Sequence, residues 1–233
     1  MAILNHKSLI MESIGESDWD FGNKILYELC ENYPEHKKVD VVVAKMLFIG
    51  RIYAAAIERR RNKNEINDDF YIRKVAPTII ASELDSRLRN LKDSEELNND
   101  VHIIEILRTH KYLSDVFNRL TGLDKRSLSS KYLHFHKPNM FFIYDSRAVS
   151  ALRKFISKVP YKDKQIIYSD GIDKEYGKFY IKALSVKNEI EQKLNIKLSY
   201  RDFDKVLINI ANSNKNIKIV KNREKIGTAI GYR

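Results

Sequence analysis

"KRSLSSKYLHFHKPNMFFIYDSRA", residues 125–148, places Lys131 and Asp145 at the two edges of an apolar, aromatic segment. Just upstream, Gly122 suits the left-handed conformation that closes a helix. "LDKRSLSS" then reads as a short polar connection, and "SKYLHFH" as the start of a second helix. Ser127, Ser129 or Ser130 suits the N-cap, which puts Lys131 in the first helical turn. "MFFIY" is the single run that reads as extended. Asp145 follows it as the N-cap of an amphipathic helix carrying Ala148, Leu152 and Phe155.

Helical periodicity extends in both directions from this segment. Ile106, His110, Leu113, Phe117 and Leu120 form one stripe, and Phe179, Ala183, Val186, Ile190 and Leu194 another. Val43, Met46, Leu47, Gly50, Ala54 and Ile57 share a face of an earlier helix, which ends in the basic run "ERRRNKN" as a solvated terminus. A helix from Asp69 to about Leu91 bends or breaks near Pro77, because proline lacks the backbone donor and clashes with the preceding turn. "SYRD", Ser199 to Asp202, reads as a capping box opening a helix that buries Phe203, Val206, Leu207 and Ile210. The glycines of "NREKIGTAIGYR" suit an ordered edge or a loose tail. The fold class is mainly α, with about seven to nine helices. There is no internal repeat.

Only 8 glycines and 4 prolines occur in 233 residues, which disfavours a turn-rich all-β fold. Hydrophobic residues make up 43%, a globular composition. The net charge of +11 draws polyanions, nucleic acid first among them, although a lysine-rich solvated face gives the same balance. Cys30 is the only cysteine, so no internal disulfide or thiolate cluster forms, as suits a reducing cytosol. The first twenty residues lack signal-peptide order, and "VDVVVAKMLFIG" is too short to span a bilayer. No Walker, HExxH, GxSxG or Rossmann pattern is present.

A lysine in the first turn of a helix, against Tyr132, Phe135 and Phe141, is destabilised as an ammonium by the helix dipole and by desolvation. Its neutral amine is a nucleophile able to form a Schiff base, though a surface lysine binding phosphate is the commoner use. A carboxylate that accepts backbone N–H bonds is held in its charged form and stabilises a developing cation, while also serving as a cap. This pattern of hairpin, lysine, apolar stretch and capping aspartate resembles the helix-hairpin-helix DNA glycosylase superfamily, in its 8-oxoguanine glycosylase (OGG) fold branch. "SLSSK" stands where that family has a glycine turn and lysine, and "YDSRA" where it has its aspartate motif; the match covers about residues 113–156. Ser127-Leu128-Ser129 replaces Gly-Val-Gly, and the fourteen positions from Lys131 to Asp145 are about one helical turn fewer than usual in the family. A shifted register places Lys125 or Ser127 at the nucleophile position, but Lys131 better preserves the order of turn, then helix.

The resemblance implies a single domain over 1–233, built of two helical lobes with the pocket between them. The hairpin lies at about 113–136 and the aspartate segment at about 140–156. It implies a DNA N-glycosylase in which Lys131 attacks C1′ of an extruded nucleotide, Asp145 supports the charge, and AP-lyase cleavage can follow. Oxidised guanine is the family's default base. The partner would be double-stranded DNA bound by a monomer, in the cytoplasm or nucleoid of a bacterium or archaeon, without a membrane. No cofactor is required, and the hairpin leaves room for a monovalent cation.

Lys125, Arg126, Ser127, Ser129 and Ser130 of the hairpin turn, with Arg147, are the candidate DNA-backbone contacts. Arg147 sits where a cation opposes the helix dipole, so it contacts a phosphate or pairs with Asp145. Arg51, Tyr53, His134 and Trp19 are candidate walls of a base pocket, Tyr53 as a stacking surface, each with ordinary packing as the alternative. His134 and His136, two apart on a helix, point in different directions and make a poor metal pair. The rival functions are a non-catalytic DNA-binding protein using the hairpin as a phosphate clamp, and a toxin-like helical protein acting on RNA.

Overall fold

The helix Asp100–Thr121 is bounded as its sequence predicts. The Asn99 side chain accepts a hydrogen bond from the backbone N–H of His102 at 2.9 Å, capping the start. Gly122, at φ 68°, donates its own N–H to Asn118 O at 2.7 Å and ends it. The chain then turns and enters a second helix, Arg126–His136. The computed structural model describes residues 3–15, 20–92 and 99–213. Trp19 and the stretch 222–233 lie outside them.

The helix Arg126–His136 is wrapped on all sides: every residue from Leu128 to Phe135 is buried. It packs against Asp20–Asn32, Val39–Ile52 and Asp100–Thr121. Such a helix must satisfy its own polar side chains internally. "MFFIY" does not form a strand; no strand occurs among the described residues. Helical side chains take up its backbone groups in place of a sheet partner. His134 Nδ1–H donates to Phe141 O at 2.8 Å, and Tyr176 Oη–H to Phe142 O at 3.0 Å. Ser130 Oγ accepts from the Tyr144 N–H at 2.9 Å.

The fold is mainly α, with more helices than the periodicity suggested. Eleven α-helical segments run between Lys7 and Leu194 among the described residues, several of them only one or two turns long, and a further helix spans 200–213. The proline segment accounts for part of the excess. A π-helical turn, Tyr71–Val75, absorbs the missing backbone donor ahead of Ala76–Ile80, and the chain breaks again before Leu84–Asn90. The long stripes are correct: Ile106, His110, Leu113 and Phe117 are buried, as are Phe179, Ala183, Val186 and Ile190. The Ser199–Asp202 capping box also forms, with Asp202 N–H donating to Ser199 Oγ at 2.9 Å and Ser199 Oγ–H to Asp202 Oδ2 at 2.6 Å.

Two expectations for the early helix need correction. It ends at Ile52, so Ala54 and Ile57 are not on its stripe, and its inner face is Val42, Lys45, Met46, Ile49 and Gly50. The basic run lies beyond the helix end, and although Arg59, Arg61 and Lys63 are exposed as expected, Arg60 is not solvated. Arg60 is buried over the Phe70 ring at 4.0 Å and donates to Asn67 Oδ1 at 2.9 Å and to Glu65 O at 2.6 Å. Among the described residues, no helix is long and apolar enough to cross a membrane.

A Cβ at residue 122 would stand 3.0 Å from Arg61 Cδ on a left-handed backbone. Gly122→Ala should therefore lower stability by about 1–2 kcal/mol, measured by urea denaturation. An unchanged midpoint would show that the hairpin turn tolerates a side chain.

Candidate active site

Asp145 caps the helix Ser146–Leu152 as expected, accepting the Ala148 N–H at 2.8 Å. Lys131 lies closer to the helix middle than its sequence suggested. The helix begins at Arg126 with Lys125 at the N-cap position and no side-chain cap, so Lys131 falls in the second turn and none of the three serines caps it. The helix dipole therefore contributes less than expected. Burial is what pulls the Lys131 amine below its ordinary value, against the opposing charges of Asp145 and Asp204.

Lys131 and Asp145 open into the same cleft, of about 500 Å³. Lys131 Nζ donates to Tyr53 O and to Ser127 Oγ, both at 3.0 Å. These two bonds use two of an ammonium's three hydrogens. The Tyr53 carbonyl lies where the early helix terminates, and the next residue, Ala54, takes φ 52°. That left-handed alanine lines the cleft, and such strain concentrates at functional sites. One wall comprises residues 52–54, Lys131, Ile143, Asp145 and Arg147. The other comprises Asn23, the N-terminal residues 12–15 and the helix 200–213. Residues 13–15 and the 200–213 helix are tied there by Asn209 Nδ2–H to Ser13 Oγ and Lys205 Nζ–H to Gly15 O, both at 3.0 Å.

Tyr53 lines the cleft as expected, its hydroxyl donating to Asn23 Oδ1 at 2.5 Å. Arg147 is half exposed at the same cleft, 3.8 Å from Asp145 Oδ2. Ser127 acts through its bond to Lys131. Arg126 pairs with Asp173 at 2.6 Å and keeps a quarter of its side chain exposed.

Four expectations are overturned by burial. The Lys125 ammonium turns inward to Ala56 O, at 3.2 Å, and to Arg59 O, so it ties the 54–60 loop to the hairpin and is not free to meet a phosphate. Ser129 and Ser130 are fully buried. Ser130 Oγ–H is spent on Ser127 O at 3.0 Å. His134, also fully buried, accepts from the Tyr27 hydroxyl at 2.7 Å, and burial holds its imidazole down to about 4. A fifth residue, Arg51, is exposed, bonded to Glu58 at 3.0 Å, and does not line the cleft. Among the described residues, no three His, Cys, Asp or Glu side chains group as metal ligands.

The sequence reading missed Arg201 and Asp204. Arg201 Nη1–H donates to Asp204 Oδ2 at 2.6 Å, three positions apart on the 200–213 helix. Asp204 is 6% exposed, and burial pushes its carboxyl up to about 6, with Asp145 adding to the rise and Arg201 opposing it. The available signal was an aspartate set among the buried positions Phe203, Val206 and Leu207. No family model matches the chain, and neither a curated protein nor a solved structure matches it.

The Asp204 environment sets a pH dependence. The folded chain holds that proton to about pH 6, and the unfolded chain only to the ordinary value of 3.8. Between these values the folded state binds the extra proton, so stability falls as pH rises. Asp204→Asn should flatten the curve of Tm against pH between pH 4 and 7, and its stability relative to wild type should improve towards pH 7. A variant whose deficit grows towards pH 7 would refute this.

Proposed function

We infer that the chain is a DNA glycosylase using an amine nucleophile. The observation that carries the inference is the convergence of Lys131 and Asp145 in one cleft, with burial favouring the neutral amine. In the reaction, the Lys131 lone pair bonds to C1′ of an extruded deoxynucleotide. The C1′–N bond to the base breaks, and its electron pair leaves with the base, which takes up a proton. The capped Asp145 carboxylate lies beside the sugar as positive charge develops there. The resulting N,O-acetal opens to a Schiff base as the C1′–O4′ bond breaks and a proton passes from the nitrogen to O4′, and strand cleavage can follow. The bonds that Lys131 donates to Tyr53 O and Ser127 Oγ aim the amine, and an aimed nucleophile reacts with a smaller loss of entropy.

Double-stranded DNA is the proposed partner, and the net charge of +11 supports it. Arg147 at the cleft is the best-placed cation for a flanking phosphate. The inward turn of Lys125, Ser129 and Ser130 removes side chains that a simple phosphate clamp would need.

Lys131→Gln keeps a donor for Tyr53 O and removes the nucleophile. Screened against duplexes bearing single altered bases, the wild-type chain should release a base and yield a borohydride-trapped adduct. The variant should yield no adduct. Trapping that survives in the variant would reassign the nucleophile. Asp145→Asn preserves the cap, because asparagine caps as well as aspartate. It should slow release by about a hundredfold or more, with DNA affinity nearly unchanged. Normal turnover would remove the carboxylate from the mechanism. Salt-sensitive DNA binding without release of any base would favour a non-catalytic binder.

A further inference from the structure

The cleft wall that includes Asn23 and the 200–213 helix is unfinished. Eight buried side-chain nitrogen or oxygen atoms among the described residues lack a hydrogen-bond partner, and three of them belong to this wall: Asn23 Nδ2, Arg201 Nε and Asp204 Oδ1. Two hydrogen bonds take up part of the polar capacity of these residues. Asn23 Oδ1 accepts from Tyr53, which leaves the amide nitrogen open. Arg201 Nη1 holds Asp204 Oδ2, which leaves Nε on one residue and Oδ1 on the other. Asn23 and Asp204 are each only 6% exposed. Unpaired polar groups at that depth destabilise a fold, and a ligand that completes them explains their retention.

We propose that Asn23, Arg201 and Asp204 read the hydrogen-bonding edge of the extruded base, and that this base is a pyrimidine of the uracil type. The proposal rests on the glycosylase assignment and adds the substrate class to it. The three buried unpaired atoms of the wall are two nitrogen donors and one carboxylate oxygen. An imide edge offers the complement, one N–H between two carbonyls. Its N3–H meets Asp204 Oδ1, and its two oxygens meet Asn23 Nδ2 and Arg201 Nε, so each of the three buried unpaired atoms gains a partner. A guanine-type edge presents N1–H and an amino group to a single open oxygen, because Arg201 holds the other. Cytosine and adenine put an amino group where the imide has a carbonyl. Sites built to pair polar groups reject such mismatches strongly.

Tyr53 joins this wall to the nucleophile. Its ring centroid is 5.8 Å from Lys131 Nζ and 5.9 Å from Arg201 Cζ, an aromatic surface between the two. Thymine shares the imide edge. Selection against it therefore falls on the 5-position and on how readily an altered or mispaired nucleotide leaves the stack.

The test uses the full chain and duplexes holding one 2′-fluoroarabino nucleotide, which resists excision, with matching deoxynucleotide duplexes for base release. The bases are uracil, 5-hydroxymethyluracil, 8-oxoguanine, adenine and cytosine. Binding should be about tenfold or more tighter to the uracil-type duplexes. Asp204→Asn and Asn23→Ala should each erase that preference and leave affinity for an unmodified duplex intact. A preference for another base, no preference at all, or a preference that survives both substitutions overturns the proposal. Uracil-type preference without release of any base supports the edge assignment and rejects the glycosylase. Release of another base class does the reverse.

Discussion

The constraint on which the rest depends is the burial of the helix Arg126–His136 on every side. A helix in that position has no solvent to satisfy Ser130, Lys131 or His134, so each must find a partner inside the protein. Those partners give shape to segments with no regular structure of their own. Ser130 and His134 hold the 141–144 stretch, and Lys131 holds the end of the early helix through Tyr53 O. The same burial that organises the fold depresses the Lys131 amine.

The opposite side of the hairpin helix follows the same rule beside a second cleft, of about 580 Å³, that Asp85, Phe135 and His136 help to line. His36 donates to Asp85 at 2.5 Å and accepts from the Tyr132 hydroxyl at 2.7 Å. Lys45, with no exposure at all, donates to Tyr33 O and to His136 Nε2, the latter at 3.0 Å. His136 in turn donates to Tyr132 O at 2.8 Å. Every polar group in this chain of contacts has a partner, so the network anchors the helix. The cleft wall differs: Asn23, Arg201 and Asp204 keep open atoms, and Asp204 bears a carboxyl destabilised in its charged form. That contrast separates a fully paired network from a cleft wall that keeps buried polar atoms unpaired.

Asp204 carries a stability cost of its own. Ionising a buried carboxylate with one open oxygen costs the folded state free energy, and Arg201 compensates only in part. The left-handed Ala54 beside Lys131 adds backbone strain at the same cleft. Both features lie on the cleft rather than in the apolar core.

The sequence by itself determined the helical class, the long buried stripes, the Gly122 closure, the Ser199 capping box and the Asp145 cap. These depend on neighbours within a few positions, where period and cap chemistry act directly. It also singled out Lys131 and Asp145, because an ionisable group at the margin of an apolar run is visible in one dimension. Only the tertiary structure decided which way polar side chains turn. Lys125, Ser129, Ser130 and His134 read as surface or pocket groups, but the surrounding helices enclose them. Arg201 and Asp204 reach the cleft because the 200–213 helix packs beside residues 13–15, a juxtaposition of positions nearly two hundred apart that no local pattern encodes. Orientation and burial follow from what packs against an element, and that information is spread over the whole chain.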